Sequence, residues 1–273
     1  MARSNLAVRV LTSAIAAPLL LVCLFWSSPL VWLVVVTAAA ALAGAELFAL
    51  LAPSDRIARL MGVLVTLLVV PAISLGVEHP NWLLPGLLVL ILSSLLVPLF
   101  RPDPMETVGL RLMASVTAPL YVGGLLSPLV LLHGLSDGRG ARWVLLVFTM
   151  AWLGDTAAYF SGRRFGRTKL YPRVSPNKTR AGLVGALAGS ALAATLASAT
   201  YLPVVALGEA VILGLATGLF GQLGDLVESL VKRSSNVKDS GNLLPGHGGL
   251  LDRIDAVLFV GPVVYLYVVW RIG

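Results

Sequence analysis

Residues 229–255 read SLVKRSSNVKDSGNLLPGHGGLLDRID, and the reading of the chain starts from them. They gather Lys232, Arg233, Lys238, Asp239, His247, Asp252, Arg253 and Asp255 in a chain of which only 12% is charged, and both ends run into apolar segments. Gly246, Gly248 and Gly249 flank the histidine, where a missing side chain lets backbone approach a ligand closely. Basic side chains suit phosphate oxygens, and carboxylates suit a hard cation. The stretch reads as a binding loop for a polyanion together with a divalent cation.

The surroundings of that loop set the fold class. The 273 residues are 58% hydrophobic with a mean hydropathy of +0.91, which excludes an ordinary soluble domain. Many apolar runs reach the roughly 18 to 20 residues that cross a bilayer. The expectation is an all-α, polytopic integral membrane protein forming a single membrane domain. Residues 1–135 would be scaffold helices and residues 143–273 would carry the site. Cys23 is the sole cysteine, so no intrachain disulfide forms. The net charge of +7 does not point to nucleic acid, because its basic residues sit in short loops between apolar runs. Topology and lipid headgroups account for most of them.

About nine spans are expected, at 8–26, 30–52, 60–78, 82–100, 112–134, 143–161, 181–200, 203–224 and 254–271. Turn formers separate them, as at Ser27-Ser28-Pro29, Pro53-Ser54-Asp55 and Arg101-Pro102-Asp103-Pro104. The eighth is expected to continue as helix past Asp225 to Arg233. Of the 20 lysines and arginines, 17 fall on the N-terminus and the even-numbered loops; Arg139, Arg142 and Arg271 are the remainder. That asymmetry places the N-terminus and the basic loops in the cytoplasm. The first apolar run is long and leads into a second, so it reads as an uncleaved span, not a signal peptide.

Several polar groups inside this apolar frame demand a reason. Asp155 lies in AWLGDTAAYF, where a carboxylate is costly unless it meets a polar cavity or a cation such as Arg163 or Arg164. Seven basic residues follow between 163 and 180. Gln222, Asp225, Glu228, Ser229 and Lys232 fall at i, i+3, i+6, i+7 and i+10, along one face of a helix. Such a stripe lines water, a ligand or another helix's polar groups. Asp252 and Asp255 repeat the three-residue spacing at the start of the last span. Glu46 is the one acid of its span, and it reads as paired, interfacial or in contact with the site. His247, between glycines, reads as a phosphate contact or a loop-ordering residue.

The chain also resembles a known family. Ser229-x-x-Lys232-Arg233-x4-Lys238-Asp239-x-Gly241-x2-Leu244-Pro245-x-His247-Gly248-Gly249-x-x-Asp252-Arg253-x-Asp255 is similar to the signature of the phosphatidate cytidylyltransferases, or CDP-diacylglycerol synthases. The segment Ser175-Pro176-Asn177-Lys178-Thr179, with Gly182 following, resembles a second motif of that family. Where members often carry an aromatic and an acid before this glycine, Arg180 and Ala181 stand here. The resemblance implies transfer of a cytidylyl group from CTP to phosphatidate at the cytoplasmic face of a bacterial inner membrane. It implies Asp225 and Asp252 as ligands of Mg²⁺, with K⁺ as a second cation, and Lys178 on nucleotide phosphates. Asp155, read as functional from its place in an apolar span, would join them in catalysis. Ser229, Lys232, Arg233, Lys238, Asp239, His247, Gly248, Gly249 and Arg253 would contact the substrates. A homodimer is implied by the same resemblance.

Two alternatives have hooks in the sequence. Asp137-Gly138-x2-Ala141-Arg142 followed by Asp155 partly matches a CDP-alcohol phosphotransferase, but Ala151 and Tyr159 replace that family's glycine and last aspartate. An ion-coupled transporter would use Asp155, Asp225 and Asp252 but leaves the basic, glycine-bearing loop unexplained.

Overall fold

A bilayer offers the backbone no hydrogen-bond partners, so a span must satisfy its own amides and carbonyls, and a helix does so within one segment. The computed structural model describes residues 2–53, 55–243, 246 and 248–271. Ser54, Leu244, Pro245 and His247, read above as turn and motif residues, lie outside the described residues. The helices are α1 (Ala2–Trp26), α2 (Pro29–Leu51), α3 (Arg56–Glu78), α4 (Pro80–Leu99), α5 (Met105–Pro119), α6 (Leu125–His133), α7 (Gly140–Phe165), α8 (Arg180–Ala199), α9 (Leu207–Ser234) and α10 (Leu251–Arg271). Between α7 and α8, β1 (Lys169–Tyr171) and β2 (Ser175–Thr179) pair as an antiparallel hairpin that the all-helical expectation did not contain.

Among the described residues, eight helical segments are long and apolar enough to span a membrane; the described apolar part of α1, Ala14–Trp26, is shorter. The expected spans are helical over most of their length, although the eighth begins at Leu207 and not at 203, and several extend at their polar ends. The fifth runs from Met105 to His133, with a π-helical turn at Leu120–Gly124 directly after Pro119, which has no N–H for the helical ladder. The eighth reaches Ser234, as its charge pattern required. Local sequence sets the starts. Ser28 precedes Pro29 and accepts from the Val31 amide at 3.3 Å; Thr179 accepts from the Gly182 amide at 3.0 Å.

The chain divides into two compact units, Met1–Leu131 with Asp239–Arg253, and Leu132–Lys238 with Ile254–Gly273. In the first, α3 packs on α2 and α4 around Val65, Val69 and Leu90, and the buried Trp32 indole donates to the Leu129 carbonyl at 3.0 Å. Leu84, Leu88 and Leu92 of α4 stay exposed, as a lipid-facing helix requires. Asp55 caps α3 through the Ile57 and Ala58 amides at 3.1 and 3.0 Å. It also binds Arg101 at 2.8 Å and the buried Arg111 at 3.1 Å. Burial would raise the Asp55 pKa, but the Ala58 amide and the two guanidiniums outweigh it and hold the carboxyl at about 2.

The second unit is built from small residues. On α9, a Cβ at Gly214 would lie 2.4 Å from the Ala191 Cα of α8, so glycine sets that helix separation. A Cβ at Gly224 would sit 2.5 Å from the Asp255 carbonyl, which brings α10 against α9 beside Asp225.

Candidate active site

The polar stripe predicted on α9 exists. Gln222, Glu228, Ser229 and Lys232 are buried, and Asp225 is half-buried. Their partners form a continuous chain of side chains. Gln222 Nε2 donates to Asp155 Oδ1 at 3.2 Å, and Lys178 Nζ donates to Gln222 Oε1 at 2.9 Å. The same ammonium lies 2.8 Å from Asp225 Oδ2, and Ser229 Oγ donates to Asp225 Oδ1 at 3.1 Å. Glu228 and Lys232 form an ion pair within the helix. Asp255, on α10, lies within electrostatic range of Asp225, Glu228 and Asp155. Four carboxylates and two lysines thus share one region of the second unit.

The hairpin explains how Lys178 gets there. It lies on β2, immediately before Thr179 caps α8, so the strand carries the lysine to the polar face of α9. Arg233 holds the connections nearby, donating to the Val174 carbonyl at 3.4 Å and the Val237 carbonyl at 2.8 Å. Of the basic residues before the hairpin, Arg163 donates to Tyr159 and Arg164 lies over the Phe165 ring. Gln222 is a partner of Asp155 that sequence reasoning did not name. Its place on the stripe was the available signal.

Of the other predicted residues, Asp239, Gly248, Gly249, Asp252 and Arg253 sit in the first unit. Asp252 Oδ2 accepts from the Ser240 amide at 2.9 Å, the Ser240 hydroxyl at 3.0 Å and the Gly249 amide at 2.9 Å. Gly248 has a φ of +86°, a conformation that favours glycine. Asp239 and Arg253 are exposed, as is Lys238 at the end of the second unit. Asp137, the hook of the phosphotransferase alternative, pairs with Arg139 at 3.0 Å.

Among the described residues no three His, Cys, Asp or Glu side chains form a self-contained metal cage. Mg²⁺ commonly binds one or two carboxylates and completes its shell with substrate phosphates and water, and hard oxygen donors such as Asp225 fit that use. Asp225 already holds one cation, the Lys178 ammonium.

Compared with known protein families, residues 7–270 match the cytidylyltransferase family. The chain belongs to that family. It is 33% identical over 276 residues to the phosphatidate cytidylyltransferase of Thermotoga maritima, covering 96% of each chain. To the phosphatidate cytidylyltransferase of Bacillus subtilis it is 38% identical over 180 residues, 65% of this chain and 64% of that one. To that of Staphylococcus saprophyticus it is 45% identical over 131 residues, 48% of this chain and 50% of the relative. The match thus spans about half to two thirds of two of these relatives and nearly all of the third. The family resemblance seen in the sequence is borne out, and with it a nucleotidyltransferase built of membrane helices.

Proposed function

We propose that this chain is a phosphatidate cytidylyltransferase, converting CTP and phosphatidate to CDP-diacylglycerol and diphosphate. The observation that carries the proposal is Lys178 set against Asp225. A cation suited to phosphate and a carboxylate suited to a metal stand 2.8 Å apart; Lys178 lies in the Ser175–Thr179 motif, and Asp225 is a position the family resemblance assigns to the metal. The names of the Thermotoga, Bacillus and Staphylococcus relatives support the choice of substrates.

The chemistry suits these residues. A phosphatidate oxygen attacks the α-phosphorus of CTP, the bond from that phosphorus to the bridging oxygen breaks, and diphosphate leaves. The attacking oxygen is anionic near neutral pH, so no strong general base is needed. The obstacle is bringing two polyanions together. Asp225 and Asp252, both assigned to the metal by the family resemblance, would hold Mg²⁺, which when bound supplies charge neutralisation at the α-phosphate. Lys178 would leave Asp225 for nucleotide phosphate, with Arg233 and Lys238 on the remaining phosphates. Lys232, committed to Glu228, would orient the α9 face. The helix ends would meet the substrates at the cytoplasmic boundary of a bacterial inner membrane, where 17 of the 20 basic residues are expected. A lipid could then react without its tails leaving the bilayer. A homodimer and a K⁺ requirement belong to the same proposal through the family resemblance.

The test is turnover in detergent, without any membrane gradient. CTP, phosphatidate and Mg²⁺ are expected to give CDP-diacylglycerol and diphosphate in equal amounts, with other nucleotides poor substitutes. Release of CMP instead, or no product at all, would overturn the proposal.

A further inference from the structure

The α2 segment PLVWLVVVTAAAALAGAELFALL carries one charged residue, Glu46. Its carboxylate is fully engaged. Oε1 accepts from the Leu250 amide at 3.0 Å, and Oε2 accepts from the Leu251 amide at 2.8 Å and the Ser240 hydroxyl at 3.1 Å. That hydroxyl lies equally close to Asp252 Oδ2, at 3.0 Å, so one hydrogen is shared between two carboxylates. The amides of Gly249, Leu250 and Leu251 therefore all point into carboxylate oxygens, the first to Asp252 and the other two to Glu46. Leu251 opens α10, whose first N–H groups have no partner within the helix and favour negative charge.

Two glycines are shaped by this acid. A Cβ at Gly241 would stand 2.6 Å from Glu46 Oε1. One at Gly249 would stand 2.6 Å from Glu46 Oε2 and 2.0 Å from the Ser240 hydroxyl. The glycines of the loop are thus needed where a carboxylate of α2 comes close to its backbone.

We infer that Glu46 is a positioning residue, fixing the 240–251 loop so that Asp252 is presented in one orientation. Its role in turnover rests on the function proposed above. Carboxylate is required because both oxygens accept from donors; an amide would turn an N–H₂ group toward one of them and lose that bond. A charge-assisted bond of this kind is strong enough that its loss changes an equilibrium by about tenfold or more.

The experiment compares wild type, Glu46→Gln and Ser240→Ala in two measurements. One is hydrogen exchange of the Leu250 and Leu251 amides in detergent-solubilised protein, which needs no substrate. The other is the Mg²⁺ concentration for half-maximal turnover of CTP with phosphatidate. Glu46→Gln is expected to speed exchange at both amides by about tenfold. It should raise the Mg²⁺ requirement by a similar factor while the KM for CTP stays within about twofold. Ser240→Ala, which leaves both carboxylates in place, is expected to give the same changes at smaller size and decides the matter if Glu46→Gln does not fold. Unchanged exchange would show that Glu46 does not hold the loop. Faster exchange with an unaltered Mg²⁺ requirement would refute the positioning role. If wild type makes no CDP-diacylglycerol, the proposed function falls, and the exchange measurement still decides whether the loop is held by Glu46.

Discussion

The carboxylates of the two units are satisfied in opposite ways. In the first unit, Glu46 and Asp252 accept from four backbone amides and one hydroxyl, donors that are part of the loop they shape. In the second, Asp155 and Asp225 meet the side chains of Gln222, Lys178 and Ser229. Backbone donors cannot leave without unfolding the segment, whereas a lysine on a flexible stem can swing to another anion. The first arrangement fixes a shape, and the second is ready to exchange partners. Acids that look alike in the sequence therefore call for different tests.

The largest effects should separate Asp225 from Asp252. Asp225→Asn and Asp252→Asn are each expected to lower turnover by about 10² to 10³-fold, the scale of losing one preorganised electrostatic group. Asp252→Asn alone should also speed hydrogen exchange at the Ser240 and Gly249 amides. Asp225→Asn speeding the same amides, or Asp252→Asn leaving them unchanged, would erase the distinction between a shaping and an exchangeable carboxylate.

Lys178→Ala should come next. Loss of the ammonium is expected to lower kcat/KM for CTP by about 10²-fold, mostly through KM if the lysine binds the nucleotide equally in ground and transition states. Lys178→Arg should recover only part, since a planar guanidinium does not reproduce a point charge between Gln222 and Asp225. Wild-type rates at limiting CTP in Lys178→Ala would leave that lysine as a counter-ion of Asp225 only.

The contrast between units was half legible in the sequence. The spans follow from hydropathy, and the α9 stripe follows from three- and four-residue spacing, both of which are local properties. Lys178 was found through its motif, but the hairpin that delivers it was not. Its strands are three and five residues long, and Pro176 and Asn177 are poor strand formers. Glu46 stood out as an acid in an apolar span, yet its partners lie about 200 residues further along the chain. No periodicity reports a contact at that separation. Asp155 reads in the sequence as an acid that needs a polar cavity or a cation; the amide of Gln222 lies against it, from a helix 67 residues further along the chain.

The Asp55 clasp tests the structural side at a smaller scale. Its folded pKa of about 2 lies below the ordinary 3.8, so it contributes stability that is present above pH 4 and lost as pH falls toward 2. The full shift would correspond to about 2 kcal/mol, and solvent screening at the exposed Arg101 side reduces the contribution below that. Asp55→Asn keeps a capping side chain but leaves the buried Arg111 without its carboxylate. Thermal unfolding in detergent should show wild type losing stability between pH 4 and 2.5 and the variant, already weaker at neutral pH, losing little more. Equal acid sensitivity in both proteins would place the titration elsewhere.

The smallest effect concerns Ser229, whose hydroxyl donates to Asp225 Oδ1 at 3.1 Å. A single neutral donor to a carboxylate that stays partly solvated contributes about 1.5 kcal/mol, the low end for bonds to charged groups. Ser229→Ala should therefore raise the Mg²⁺ requirement by only about tenfold. The site is buried and the change removes one oxygen, so stability should hardly move. If Asp225 exchanges its partners as a metal ligand must, freeing Oδ1 from Ser229 changes how it is aimed, not whether it binds, and maximal turnover at saturating Mg²⁺ stays near wild type. A large fall in that maximal rate would instead mean that Ser229 meets the substrate itself, shifting it from the support of the carboxylate to the reacting groups.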